Sequence, residues 1–205
     1  MDILIHPNKK IVFWFLTIIN LMASIADLGI TYIGTPDLSR EGNPLVYTFS
    51  LGWNSLIITS VIVFIVIVVL LYYAFFQFKR VVVQCEGFRQ YMSMVFFNRP
   101  DKFIWTLYKF PKNKIGWSYF AASLGLGLAL VIPIGHLFAI ILWIGIINDL
   151  NFVHIYHNLF NIIITPIGRT DTLIGGVILF LFIYYYWFSK EYKINKKILE
   201  NGLMK

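Results

Sequence analysis

The chain has 205 residues, 59% hydrophobic and 18% aromatic but only 13% charged, about half the charged share of an ordinary soluble domain. That composition excludes a soluble enzyme, a fibrous chain and a disordered one, and apolar runs longer than the ~20 residues needed to cross a bilayer point to membrane helices. The net charge of +7 would suggest a nucleic-acid partner, but its distribution along the chain argues for a membrane surface instead, and a single cysteine excludes an internal disulfide or a thiolate cluster.

The first predicted span covers residues 11–34, whose only charge is Asp27, after Lys9 and Lys10 and before Thr35, Pro36 and Asp37. It is longer than the apolar core of a signal peptide and no small-x-small site follows it, so it is expected to stay as an anchor. Along it Thr17, Asn20, Ser24, Asp27 and Thr31 recur at steps of three and four, which puts all five on one face. A mid-helix aspartate costs about 2.5 to 3.5 kcal/mol on insertion scales, so this face is expected to meet protein or a polar cavity rather than lipid. At ~1.5 Å per residue, Asp27 falls in the outer half of the membrane. In the loop that follows, Pro44 holds Asn43 extended and suits a first helical turn, Asn43 is placed to cap, and Glu41 is drawn to the positive end of the helix dipole, near the mouth of a cavity above Asp27.

The second span, 46–78, is uncharged and longer than one crossing needs, so it is expected to tilt or project beyond the bilayer. In the basic loop 79–114 the charges alternate with Val81, Cys85, Phe88, Tyr91, Met92 and Val95 near the helical period, which predicts an interfacial amphipathic helix. Its readings are anionic-lipid binding or plain anchoring; no aromatic nucleic-acid motif accompanies it, and Cys85 lies where acylation is open to it. The third span, 115–147, should kink at Pro133, carries His136 in its outer half, and has a ridge of small residues at Ala121, Gly125 and Ala129 for close packing. Segment 149–168 repeats the polar pattern at Asn151, His154, Asn158, Asn161 and Thr165, with His157 alongside and Pro166 closing it, which predicts a short re-entrant or outer-surface helix packed over the bundle. Residues 172–189 make the fourth and shortest span.

Segments 1–10, 79–114 and 190–205 hold 15 of the Lys and Arg residues, whereas the two other loops hold only Arg40 and Arg169. By the positive-inside rule both termini and the basic loop are cytoplasmic, and tryptophans and tyrosines gather at both predicted interfaces. The expected fold is therefore all-α: a polytopic protein of the cell membrane, one integral domain over 1–205, with a four-transmembrane-helix bundle, a cytoplasmic amphipathic segment and a short outer helix.

The polar groups define the candidate site. Asn20, Ser24, Asp27, Thr31, Glu41 and Asn43 are the expected lining of an outward-facing intramembrane cavity that binds a cation, a proton or a small polar ligand. His136, His154 and His157 with Asp27 or Glu41 offer the donor set of a zinc or other divalent site, which would make a metal-dependent hydrolase or transferase with one of those carboxylates as general base. No HExxH or GxSxG motif supports that chemistry. A third reading is an interaction subunit whose polar groups lock helix packing. Four helices without an internal repeat make a poor alternating-access machine, so transport would call for a second copy or a membrane partner.

Asn20, Leu21, Asp27 and Thr31 on the first helix, followed after a short loop by Glu41, Asn43, Pro44 and Leu45, resemble a family of small multi-pass membrane proteins gathered as a domain of unknown function. The likeness covers residues 15–55. It implies that Asn20, Asp27, Thr31, Glu41, Asn43 and Pro44 act as a unit, and it supplies no reaction.

Overall fold

The computed structural model describes residues 8–39, 41, 46, 49–160 and 170–203. Every regular element among them is helical: α1 (Lys9–Gly34), α2 (Trp53–Tyr72), α3 (Phe88–Phe97), α4 (Lys114–Ile147), α5 (Asn151–Phe160) and α6 (Thr170–Leu203). A π-turn, Tyr73–Gln77, extends α2 and closes with the Phe78 amide on the Tyr73 carbonyl at 2.8 Å. A 3-10 turn, Phe103–Leu107, lies between α3 and α4.

Among the described residues, three helices are long and apolar enough to cross a membrane: α1, α2 with its π-turn, and α4. Their exposed surfaces are rich in large apolar side chains, as at Ile58, Ile62 and Ile65 of α2. Such a continuous apolar exterior would be a defect in water and matches a lipid solvent. The chain is a helical, multi-pass membrane protein. Among the described residues α2 begins at Trp53, shortly after Ser50, whose left-handed φ of 52° a right-handed helix does not propagate.

The chain divides into two compact units. The first comprises residues 1–13, 69–127 and 181–205, and its core is aromatic. Tyr91 and Phe96 of α3 are buried with Tyr119 of α4 and Phe188 of α6; Tyr91 meets Tyr119 edge-on at 6.4 Å, and Phe96 lies 5.5 Å from Phe188. The predicted amphipathic helix thus exists in part, over Phe88–Phe97, but its apolar face is buried in protein instead of lying in lipid. Periodicity marks an apolar face without saying what covers it. Between the π-turn and α3 the backbone is extended, and Asn195 of α6 serves it as a strand neighbour would: its Oδ1 accepts from the Val83 amide and its Nδ2 donates to the Val83 carbonyl, both at 2.8 Å. Arg80 completes the attachment with a two-pronged pair to Glu191, at 2.6 and 2.9 Å.

Two side chains fix the loop after α3. Ser93, fully buried, donates to the Arg99 carbonyl and accepts from the Lys102 amide at 2.7 Å. Asn113 caps α4, accepting from the Gly116 amide at 2.6 Å while its Nδ2 holds the Val95 carbonyl at 3.1 Å.

The second unit comprises residues 14–68 and 128–180. Leu16, Leu56, Ala129, Leu142, Trp143 and Val153 belong to its core. The last residue of α1, Gly34, lies against the Trp143 ring, where a Cβ would overlap ring carbons. Asp149, with a φ of 51°, ends α4, and the Leu150 amide returns to the Gly145 carbonyl at 2.9 Å. This tight turn starts α5, which packs through Val153 and Phe152 over Gly145 and through Tyr156 against Phe138. Where the polar stripe of this segment was expected to pack inward, Asn151 and His154 are exposed. Apolar contact decides which side of so short a helix docks. Residues 161–169, with Asn161, Thr165 and Pro166, and the side chains of His157 and Asn158 lie outside the described residues.

Candidate functional site

The polar stripe of α1 faces the protein. Thr17, Asn20 and Thr31 are buried and Ser24 and Asp27 half-buried, while Ile18, Met22 and Ile25 are exposed on the other side. An amphipathic helix in water would show the opposite arrangement; here polar groups that would be unsatisfied in hydrocarbon find partners inside.

Those partners sit on α4 around Pro133. Proline has no amide hydrogen, so the carbonyl four residues earlier, on Ala129, loses its helical donor. Asn20 replaces it: one Nδ2 hydrogen goes to Ala129 and the other to the Leu16 carbonyl of its own helix, each at 2.8 Å. Asn20 is 1% exposed, and its Oδ1 has no hydrogen-bond partner among the described residues.

One turn further along α1, His136 lies between Ser24 and Asp27. Its Nδ1 is 2.7 Å from Asp27 Oδ2 and its Nε2 is 3.2 Å from Ser24 Oγ. Ser24 and Asp27 are three residues apart, so one imidazole reaches both from the facing helix. A carboxylate can only accept, so Nδ1 carries the hydrogen, and in neutral imidazole Nε2 accepts from the serine hydroxyl. Protonation turns Nε2 into a donor, and rotation of the hydroxyl turns Ser24 into its acceptor without displacing a heavy atom. The site accommodates either proton occupancy with every hydrogen bond kept. It is also incompletely sealed, since the Asp27 side chain is 22% exposed and that of His136 23%.

The order Ser24, His136, Asp27 has the donor–base–carboxylate arrangement of a hydrolytic triad. Ser24, however, is in mid-helix, where the surrounding amides are spent on the helix ladder, and both Asn20 amide hydrogens are committed to carbonyls. Among the described residues, neither the α1 backbone around Ser24 nor Asn20 offers a free donor for an oxyanion, which is usually the largest contribution to acyl transfer.

Glu41 is half-buried and its amide donates to the Leu38 carbonyl at 3.1 Å; Asn43 and Pro44 lie outside the described residues. His154 bonds Asp149 at 2.9 Å on the surface, its side chain 63% exposed. Among the described residues no three His, Cys, Asp or Glu side chains gather where they could hold a metal ion. The structure therefore brings Ser24, Asp27 and His136 together and leaves His154 with a different carboxylate. Sequence reasoning missed the contact between Asn20 and Ala129, although the proline four residues after Ala129 was a signal for it.

No protein-family model, curated protein or solved structure matches this chain.

Proposed function

We propose that this is a four-span protein of the cell membrane, with both termini cytoplasmic, which binds a proton or a small cation at the Asp27–His136–Ser24 site in the outer half of the bilayer. The fourth crossing in this reading is the apolar first half of α6, with the charges from Lys190 onward left in the cytoplasm by the positive-inside rule. The observation that carries it is the 2.7 Å contact of Asp27 with His136, backed on the other ring nitrogen by a hydroxyl that can donate or accept. Ionisable groups inside a membrane helix are expensive, and a pair able to change proton count without rearrangement is suited to binding and releasing one. The likeness of residues 15–55 groups Asn20, Asp27, Thr31, Glu41, Asn43 and Pro44 as a unit, of which Asp27 is the member that bonds His136.

The test is the thermal unfolding of the detergent-purified chain between about pH 5 and 8, with and without sodium, lithium or ammonium ions. The wild type should change its midpoint with pH or with one of these cations, and Asp27→Asn and His136→Gln should both flatten that response. A wild type indifferent to pH and to all three cations, or an undiminished response in Asp27→Asn, would sink the proposal.

A second reading draws on Asn20. A side chain committed to the carbonyl that Pro133 leaves open is acting as packing glue, which is what an interaction subunit without its own chemistry would need. The cation arms of the same experiment separate the two readings at fixed pH, because glue alone predicts a midpoint that none of the three cations moves.

A further inference from the structure

The turn before α4 gathers three lysines on one aromatic ring. Lys102, Lys109 and Lys112 all direct their ammonium groups at one indole, Trp105, with Nζ 4.6, 3.9 and 5.8 Å from the ring centroid. A tryptophan face attracts a cation, but three ammoniums on one ring repel one another and call for an anion. Asp101 pairs with Lys102 at 2.8 Å, and it is the one carboxylate in residues 99–114, against Arg99, Lys102, Lys109, Lys112 and Lys114.

The neighbouring surface is apolar. Ile104, Tyr108 and Phe110 are exposed, Phe110 by 68%, and Phe110 stacks on the half-exposed Trp117 of α4 at 5.7 Å with ring planes 10° apart. Aromatic rings at the end of a membrane helix, beside a group of lysines, are the combination that an acyl chain joined to an anionic headgroup would meet. The turn is also built rigidly: Ser93 fixes its start at the Lys102 amide, the Lys112 amide bonds the Phe96 carbonyl at 3.0 Å, and Asn113 caps α4 just after it. The lysines are presented on a fixed frame, which lowers the ordering cost of binding.

We infer that Lys102, Lys109 and Lys112 around Trp105 form a binding site for the phosphate headgroup of an anionic phospholipid, with Phe110 and Trp117 against its acyl chains. This site is independent of Asp27 and His136, and its success or failure leaves the proton or cation reading untouched.

The experiment measures the unfolding midpoint of the full-length chain in neutral detergent with added phosphatidylglycerol, phosphatidylcholine or inorganic phosphate. Phosphatidylglycerol should raise the midpoint and the other two should not. The K102Q/K109Q/K112Q variant should lose that rise, whereas K193Q/K196Q/K197Q, which removes as much charge from exposed positions of α6, should keep it. Native mass spectrometry of the wild type provides a readout that does not depend on the variants folding: phosphatidylglycerol should be retained at least about tenfold over phosphatidylcholine, and the preference should shrink with rising salt. An equal rise in both triple variants, an equal loss in both, a comparable effect of inorganic phosphate, or equal retention of the two lipids would each overturn the site.

Discussion

Asn20 donates to the carbonyl of Ala129, the one carbonyl on α4 that Pro133 deprives of its helical amide. A proline that would leave an orphan acceptor in the middle of an apolar helix is thus tolerated because a side chain from α1 satisfies it. The two positions should be energetically coupled. Asn20→Ala is expected to destabilise by about 1 to 2 kcal/mol, the upper range for interhelical hydrogen bonds in membranes, because it leaves a buried carbonyl unpaired. In a Pro133→Ala background, where the helix supplies its own amide to Ala129, the same change should cost less. A double-mutant cycle by reversible unfolding in mixed detergent measures the difference, and strictly additive losses would show that the contact does not act as a replacement donor.

Gly125 tests how closely helices approach in the first unit. A Cβ at this position would lie 2.6 Å from the backbone carbon and oxygen of Leu70. Backbone cannot rotate away as a side-chain tip can, so Gly125→Ala should force α2 and α4 apart locally and cost about 1 to 3 kcal/mol. Gly29→Ala is the control, because a Cβ there meets nothing within 4 Å and alanine is the better helix former. The control should unfold at or slightly above the wild-type midpoint.

Arg80 and Glu191 make a part-buried pair in which Glu191 is 3% exposed and Arg80 24%. Arg80→Ala would strand that carboxylate and is expected to destabilise by about 3 to 5 kcal/mol. Joint replacement, Arg80→Met with Glu191→Met, removes both charges and keeps volume, so it should cost far less than Arg80→Ala alone. Chemical denaturation of the three proteins decides it, and a double variant as weak as the single one would show that the pair's value lies in its hydrogen bonds to each other rather than in avoiding a lone charge.

The sequence made some of these relationships readable. Asp27 had to face inward because lipid penalises a carboxylate, and the three- and four-residue steps carried Asn20, Ser24 and Thr31 to the same side with it. His136 was a candidate neighbour because it sits at a comparable depth on another span, yet nothing in the chain distinguished it from His154, which turns to the adjacent Asp149. Depth follows from counting residues, whereas the direction of a side chain follows from packing. The basic loop illustrates the same limit: its helical period marked an apolar face at Tyr91, Met92 and Val95, but the aromatic residues that bury this face come from α4 and α6, far away in sequence. The extended stretch pinned by Asn195 had no periodic signature, since its hydrogen bonds go to a side chain more than a hundred residues on.

Cys85 lies at the end of that extended stretch, with Asn195 Nδ2 3.7 Å from its sulfur. Burial pushes its thiol above the ordinary range, because the thiolate is poorly solvated there. Only the thiolate reacts, so a raised pKa leaves less of the reactive form at a fixed pH below it. Native Cys85 should therefore be alkylated by iodoacetamide near neutral pH more slowly than in the denatured chain. The gap should narrow as pH climbs through the folded pKa, where both states are thiolate. By linkage, the folded state keeps the proton that the unfolded state would release, so this group favours folding below the ordinary thiol pKa, and the advantage is lost as pH rises through the folded value. Asn195→Ala should open the extended stretch and speed the reaction at every pH. Equal rates for native and denatured protein would show that the sulfur is freely solvated, and acylation at the membrane surface, which the juxtamembrane position alone suggests, would then face no barrier from burial.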